Sequence, residues 1–170
     1  KKPYEILKER DIYISNFNYI KNKIDKSDYI LMPYLNGQGY DVDCLSKNGK
    51  VVKILIRKRM MYNKFMYYSP GHKIINNKTI NKKITKIITL CKFSGITTFD
   101  IIKSNNTYNV IDMAARPSGS VAIGNLIGFN FIIDLLRLTY NFKINRKISI
   151  KHKIVQPFLM FKKCYNKKKI

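Results

Sequence analysis

Tyr40-Asp41-Val42-Asp43-Cys44-Leu45-Ser46-Lys47-Asn48-Gly49-Lys50-Val51-Val52-Lys53-Ile54-Leu55-Ile56-Arg57 is the stretch on which the fold turns. Its first part alternates, with Tyr40, Val42 and Cys44 on one face and Asp41 and Asp43 on the other, which is the period of a strand. Asn48-Gly49 follows, and Asn-Gly between two such runs is the strongest short-range signal for a hairpin. Val51–Arg57 is the returning strand.

Working outward, Arg57–His72 reads as a basic loop rich in Met and Tyr that closes on Ser69-Pro70-Gly71. His72, beside that turn, reads as an ordinary loop histidine. From Lys78 to Phe93 the residues Ile80, Ile84, Ile87, Ile88 and Cys91 recur with helical period, and Gly95 is the stop. A second hairpin follows: Ile96–Lys103, a turn at Ser104-Asn105-Asn106-Thr107, then Tyr108–Met113. Ala115-Arg116-Pro117-Ser118-Gly119-Ser120 is a loop, Phe131–Tyr140 a helix and Lys153–Phe161 a late strand. Upstream, Ser15 can cap a short helix carrying Phe17, Ile20 and Ile24, and Asp28–Met32 starts a strand near Pro33. Hairpins with helices between them predict an α+β fold, a mostly antiparallel sheet with flanking helices, in a single domain over residues 1–170.

Composition narrows the classes. The chain has 170 residues, 45% hydrophobic and 12% aromatic, enough for one domain with a core. The longest apolar run, Gly128–Leu136, is interrupted by Asn130 and Asp134, so no membrane span is expected. Cys44, Cys91 and Cys164 form no CxxC pair and have no ligand-like spacing to His72 or His152, which argues against zinc and disulfides and for a reduced, cytoplasmic protein. Cys44 shares a strand face with Tyr40 and Val42 and is expected in the core. The net charge of +23 invites a nucleic-acid reading. Yet Lys, Asn, Ile and Tyr, all residues with A/T-rich codons, are abundant together, and the lysines are scattered. Codon bias accounts for that better, and nucleic acid is not the expected partner. The chain begins at Lys1 rather than Met, which leaves open whether it is a fragment or a trimmed form of a longer protein.

With only ten acidic residues, their positions carry information. Asp100 and Asp112 lie on the two strands of the second hairpin. If the loop is three residues, Ser104 faces Tyr108 and Asp100 faces Asp112. Opposed carboxylates on one face have Cβ atoms about 5 Å apart and repel each other. Two readings stay open at this level: solvated acids neutralised by lysines, or ligands for a hard cation such as magnesium or manganese. Arg116 follows on the same face if the strand persists, where its guanidinium could grip a phosphate.

Tyr34-Leu35-Asn36-Gly37-Gln38-Gly39-Tyr40-Asp41-Val42-Asp43-Cys44-Leu45 resembles an ATP-grasp segment in which a hinge strand precedes a Gly-x-Glu turn and a strand reading S-V-D-x-L. Val110-Ile111-Asp112-Met113-Ala114-Ala115-Arg116-Pro117-Ser118-Gly119-Ser120 resembles the E-I-N-P-R-x-S-G segment, and Gly128-Phe129-Asn130-Phe131 the motif that opens the last helix. The chain is thus similar to carbamoyl-phosphate-synthase-like carboxylate–amine ligases, over residues 28 to 140. The resemblance implies ATP and Mg2+ (or Mn2+) as cofactors and an acyl-phosphate intermediate. It implies Asp100 and Asp112 as metal ligands, Arg116 and Arg57 at the phosphates, and Leu31, Met32, Pro33, Tyr34 and Leu35 against adenine. The carboxylate substrate and the nucleophile lie beyond its reach. The departures are Asp112 for the usual Glu, Ala114 for the Asn ligand, Gly39 for a Glu and Pro33 for a hinge Glu. Nothing resembles the N-terminal ATP-grasp half, so this half is expected to need that partner to close a nucleotide pocket. The alternatives are a catalytically degenerate relative, or a basic α+β module for nucleic acid or an anionic surface.

Overall fold

The computed structural model describes residues 4–7, 12–15, 18, 32–60, 71–144 and 154–155, with the backbone alone for 4–7 and 12–15. The chain forms two compact units, Lys1–Asn36 and Gly37–Ile170. In the first, β1 (Tyr4–Leu7) pairs antiparallel with β2 (Ile12–Ser15). The expected helix around Phe17–Ile24 falls outside the described residues except for Asn18. The expected strand Asp28–Met32 does so except for Met32, which is in no strand.

In the second unit, β3 (Gln38–Lys47), β4 (Lys50–Arg59), β5 (His72–Ile75), β6 (Gly95–Ser104), β7 (Thr107–Ala114) and β8 (Ile154–Val155) build one sheet. Its order is β7-β6-β3-β4-β5-β8, and every pairing is antiparallel. Both hairpin turns are two residues long, with positive φ at both positions: 50° and 75° at Asn48-Gly49, 48° and 59° at Asn105-Asn106. That is the mirror-image turn whose twist suits a two-residue hairpin, and Asn and Gly tolerate it.

The alternation in β3 separates two cores. On one face Tyr40, Val42, Cys44, Ile56, Phe99 and Ile101 pack against Ile80, Ile84 and Ile88 of α1 (Lys78–Leu90). The other face carries Leu45, Leu55, Ile74 and Ile96. It is covered by Ile127 of a 3₁₀ helix (Val121–Ile127), by Phe129, and by Phe131 of α2 (Phe131–Thr139). Each α-helix starts on an Asn whose side chain accepts a backbone N–H, Asn77 from Ile80 and Asn130 from Ile133, both at 3.0 Å. The Asn of the Gly128-Phe129-Asn130-Phe131 motif therefore has a structural task as a cap. The 3₁₀ helix was not legible in sequence; Gly124 allows it, because a Cβ there would lie 2.3 Å from the Phe129 carbonyl oxygen.

Among the described residues no single helix is long and apolar enough to cross a membrane. The 3₁₀ helix and α2 pass by length and composition only as a pair bent by 92°, and both bury apolar side chains against the sheet.

Candidate functional site

Asp100 and Asp112 are directly paired across β6 and β7, as expected, although not by the expected route. Ser104 pairs with Thr107, not Tyr108, because the loop is Asn105-Asn106 alone. The register then holds through Ile101 and Val110 and shifts by one residue, leaving Ile111 as the extra residue of a bulge. The bulge restores the opposition that a shorter loop would have broken, in keeping with the tendency of bulges to re-aim side chains beside sites.

Asp100 also pairs with Asp41 of β3, and Asp41 with Arg57 of β4, so these residues share the face that carries Leu45 and Leu55. Asp112 is exposed, and its Oδ1 accepts the Met113 N–H at 2.8 Å. Asp100 is 36% exposed at its side chain and is held not by lysine but by Arg59, with Nη2 to Oδ2 at 2.9 Å. Arg59 also donates to Asp41 Oδ1 through Nε, at 2.9 Å, and through Nη2. The other oxygen of Asp41 lies 2.7 Å from His72 Nε2. His72 thus stands in strand β5 opposite Arg59 rather than in a loop. Neither Arg59 nor His72 was marked as a site residue in the sequence. The signal for Arg59 was its two-residue offset from Arg57, which puts both on one face.

Burial pushes the Asp41 carboxyl up, but the hydrogen bonds from His72 and Arg59 and the charge of Arg59 outweigh it, leaving it well below the usual carboxylate range. Burial lowers the Arg59 guanidinium, but its hydrogen bonds to Asp41 and Asp100 and their charges outweigh that and raise it. A depressed native pKa contributes stability that is complete above the unfolded value and disappears as pH falls from there toward the native value. Asp41→Asn is therefore expected to cost about 1.5–3 kcal/mol at pH 7, as a loss of hydrogen bonds to a charged group. That difference from the wild type should shrink below about pH 4. Urea unfolding of both proteins across this range measures it, and a difference that stays constant with pH would contradict the assignment.

Arg57 is fully buried. Its Nη2 pairs with Asp43, also fully buried, and lies 3.2 Å from Ser118 Oγ, while Nη1 donates to the Ser120 carbonyl at 2.8 Å and to Ser120 Oγ. The arginine is the anchor of the Ser118–Ser120 loop. Desolvation raises the Asp43 carboxyl even against the Arg57 charge, the opposite sign to Asp41. Arg116 is exposed; β7 ends at Ala114, so the strand does not carry Arg116, whose Nη1 donates to the Pro117 carbonyl at 3.2 Å. Met32, Pro33 and Tyr34 are exposed and Leu35 half-buried, all without regular secondary structure, and Leu31 lies outside the described residues. Cys44 is buried as expected, and burial pushes its thiol up to about 12.

The donor set suits a hard divalent cation. Two opposed carboxylates offer oxygen ligands, and Ala114, opposite Thr98 on the same face, offers none. The described residues contain no group of three or more His, Cys, Asp or Glu side chains that could hold a metal. A cation here would complete its shell with water or phosphate oxygens, as magnesium does.

A family model described as ATP-grasp in the biosynthetic pathway with Ter operon matches residues 25–156, most of the chain. The chain belongs to the ATP-grasp family. Among solved structures this ATP-grasp chain is similar to the biotin carboxylase domain of a thermophilic 2-oxoglutarate carboxylase bound to bicarbonate, with 11% identity and a TM-score of 0.51 over 67% of this chain and 28% of that one. It is also similar to an L-amino acid ligase from Bacillus licheniformis (19% identity, TM-score 0.48, 61% and 29% covered). N5-carboxyaminoimidazole synthetase from Staphylococcus aureus complexed with ADP gives 16% identity and a TM-score of 0.47, with 68% and 33% covered. The chain thus spans a third or less of these proteins, and at such identities the likeness is one of fold. No curated protein sequence matches it.

Proposed function

We propose that this ATP-grasp chain carries the cation- and phosphate-binding half of an ATP-dependent carboxylate–amine, or related, ligase. The observation that supports this most is the direct opposition of Asp100 and Asp112 on one sheet face. Asp100 and Asp112 hold Mg2+ or Mn2+, and Arg116, exposed two residues beyond β7, contacts a phosphate oxygen. Leu31–Leu35 lies against adenine, and an N-terminal ATP-grasp half supplies the opposite wall. Arg57 is a positioning residue, since it is fully buried with Nη1 and Nη2 engaged by Asp43, Ser118 and Ser120, and it acts through the loop that follows Arg116.

In the reaction, a substrate carboxylate oxygen attacks the γ-phosphorus of ATP and ADP leaves. The nucleophile then adds to the acyl phosphate and inorganic phosphate leaves. When bound, the cation supplies neutralisation of phosphate charge. The chain's own contribution is to hold the two carboxylates on the sheet and Arg116 in the loop just beyond β7 in advance of the reaction.

Calorimetric titration of Mg-ATP into the full-length protein tests this. Saturable binding is expected, weakened at least about tenfold by Asp112→Asn. A folded protein that binds no Mg-ATP would instead favour a catalytically degenerate relative. The missing ligand at Ala114 and the engagement of Asp100 by Arg59 are the observations that point that way.

A further inference from the structure

Arg59 ends β4 opposite His72 of β5, and its stem crosses Gly39: a Cβ on Gly39 would lie 2.9 Å from Arg59 Cδ and 3.6 Å from Cγ. The glycine at position 39 leaves the room that this arginine occupies. Its guanidinium joins two carboxylates, sharing Nη2 between Asp41 and Asp100, while Nε stays on Asp41 at 2.9 Å. Asp41 is held on its far side by His72. Asp112, directly opposite Asp100, has no cationic side-chain partner among the described residues.

A guanidinium is permanently charged, so Asp100 carries a positive partner before any metal arrives. We propose that Arg59 is a tethered cation that a divalent metal must displace from Asp100 in order to bind at the Asp100–Asp112 pair. This rests on the pair being the cation site of the proposed function. Asp41, itself fastened by His72, keeps the guanidinium in place once Asp100 is released. The Nη2 hydrogen given up by Asp100 would then be available to an incoming phosphate, while the other stays on Asp41. Free metal consequently binds weakly, and metal accompanied by polyphosphate binds more tightly, because the phosphate supplies the anion that both cations need.

The test uses Mn2+ alone, with the free ion counted by electron paramagnetic resonance, on full-length wild type, Arg59→Gln, Arg59→Lys and the Asp112→Asn form of each. Arg59→Gln is expected to bind Mn2+ about tenfold more tightly, because a unit charge a few ångströms away has been removed. Arg59→Lys keeps the charge and should stay close to wild type. Wild-type Mn2+ binding that Asp112→Asn abolishes, but that Arg59→Gln leaves unchanged or weaker, overturns the role of Arg59 and leaves the cation site standing. Mn2+ binding indifferent to Asp112→Asn in every background removes the site and this proposal with it. A second measurement needs no substitution at Arg59. In wild-type protein titrated with Mg2+, the Arg59 Nε–Hε resonance should shift with saturation, and a resonance unmoved at saturating Mg2+ overturns the proposal.

Discussion

Arg57→Met should unfold at much lower urea than the wild type, with a loss of about 3–5 kcal/mol, because it removes one partner of a buried ion pair. Arg57 and Asp43 are both fully buried, and burial already raises the Asp43 carboxyl with the arginine present. Without Arg57 the carboxylate must stay charged in an apolar setting or take up a proton, and either is costly. Met retains much of the stem volume, so the loss reports the charge and its hydrogen bonds more than a cavity. Two further consequences separate this from general damage. Amide exchange at Ser118–Ser120 should accelerate, since Arg57 donates to the Ser120 carbonyl and to both serine hydroxyls. Adding Asp43→Leu to Arg57→Met should restore most of the stability, because a buried pair replaced by apolar residues is often neutral or better. A single variant within about 0.5 kcal/mol of the wild type, the range of an ordinary surface substitution, would remove this account of the loop anchor.

Asp134→Leu should produce a loss of similar size at the opposite end of the same face. Asp134 is buried in α2 and pairs with Lys53 of β4, whose ammonium also lies 4.6 Å from the Phe129 ring centroid. Removing the carboxylate leaves the lysine desolvated with only the ring as partner, and a cation–π contact is worth about 0.5–2 kcal/mol against a cost of several. The expected loss is about 3–5 kcal/mol. A cycle with Lys53→Met and the double variant should give a coupling of about 2 kcal/mol or more, within the range for residues in contact. Arg137 is a weaker, more exposed partner of Asp134 at 3.5 Å, and Arg137→Ala should change little. A coupling near zero between Lys53 and Asp134 would mean that the helix is held by its apolar contacts, among them Phe131, Leu135 and Leu138, without help from the ion pair.

Much of the candidate site was legible because its determinants are local. Two-residue alternation put Asp41 and Asp43 on the face opposite Tyr40, Val42 and Cys44, and the Asn-Gly and Asn-Asn turns closed the hairpins that aim those faces. The helices were marked by the repeat of Ile80, Ile84 and Ile88 and by the apolar run after the Asn130 cap. The opposition of Asp100 and Asp112 was right in outcome and wrong in route, because a two-residue loop and a bulge at Ile111 sum to the shift that a three-residue loop would have made. Neither piece is visible alone, since a bulge is set by how β6 and β7 pack and not by the residue types at that point.

Sequence alone determined the two central hairpins, their turns, α1 and α2 and which acids could face one another, since steric preferences over a few residues decide these, whereas β1, β2 and β5 were not read from it. Tertiary structure decided which charges are neutralised and by whom. Lys53 and Asp134 are 81 positions apart, Asp41 and His72 are 31 apart, and the basic stretch after Arg57 gave no sign that Arg57 would be buried and Arg59 would reach Asp100. No local rule encodes such pairs. The Asp41–His72 and Arg59–Asp100 pairs follow from the order β6-β3-β4-β5, which sets four strands side by side, and the Lys53–Asp134 pair follows from the packing of α2 on that sheet, where both side chains are buried.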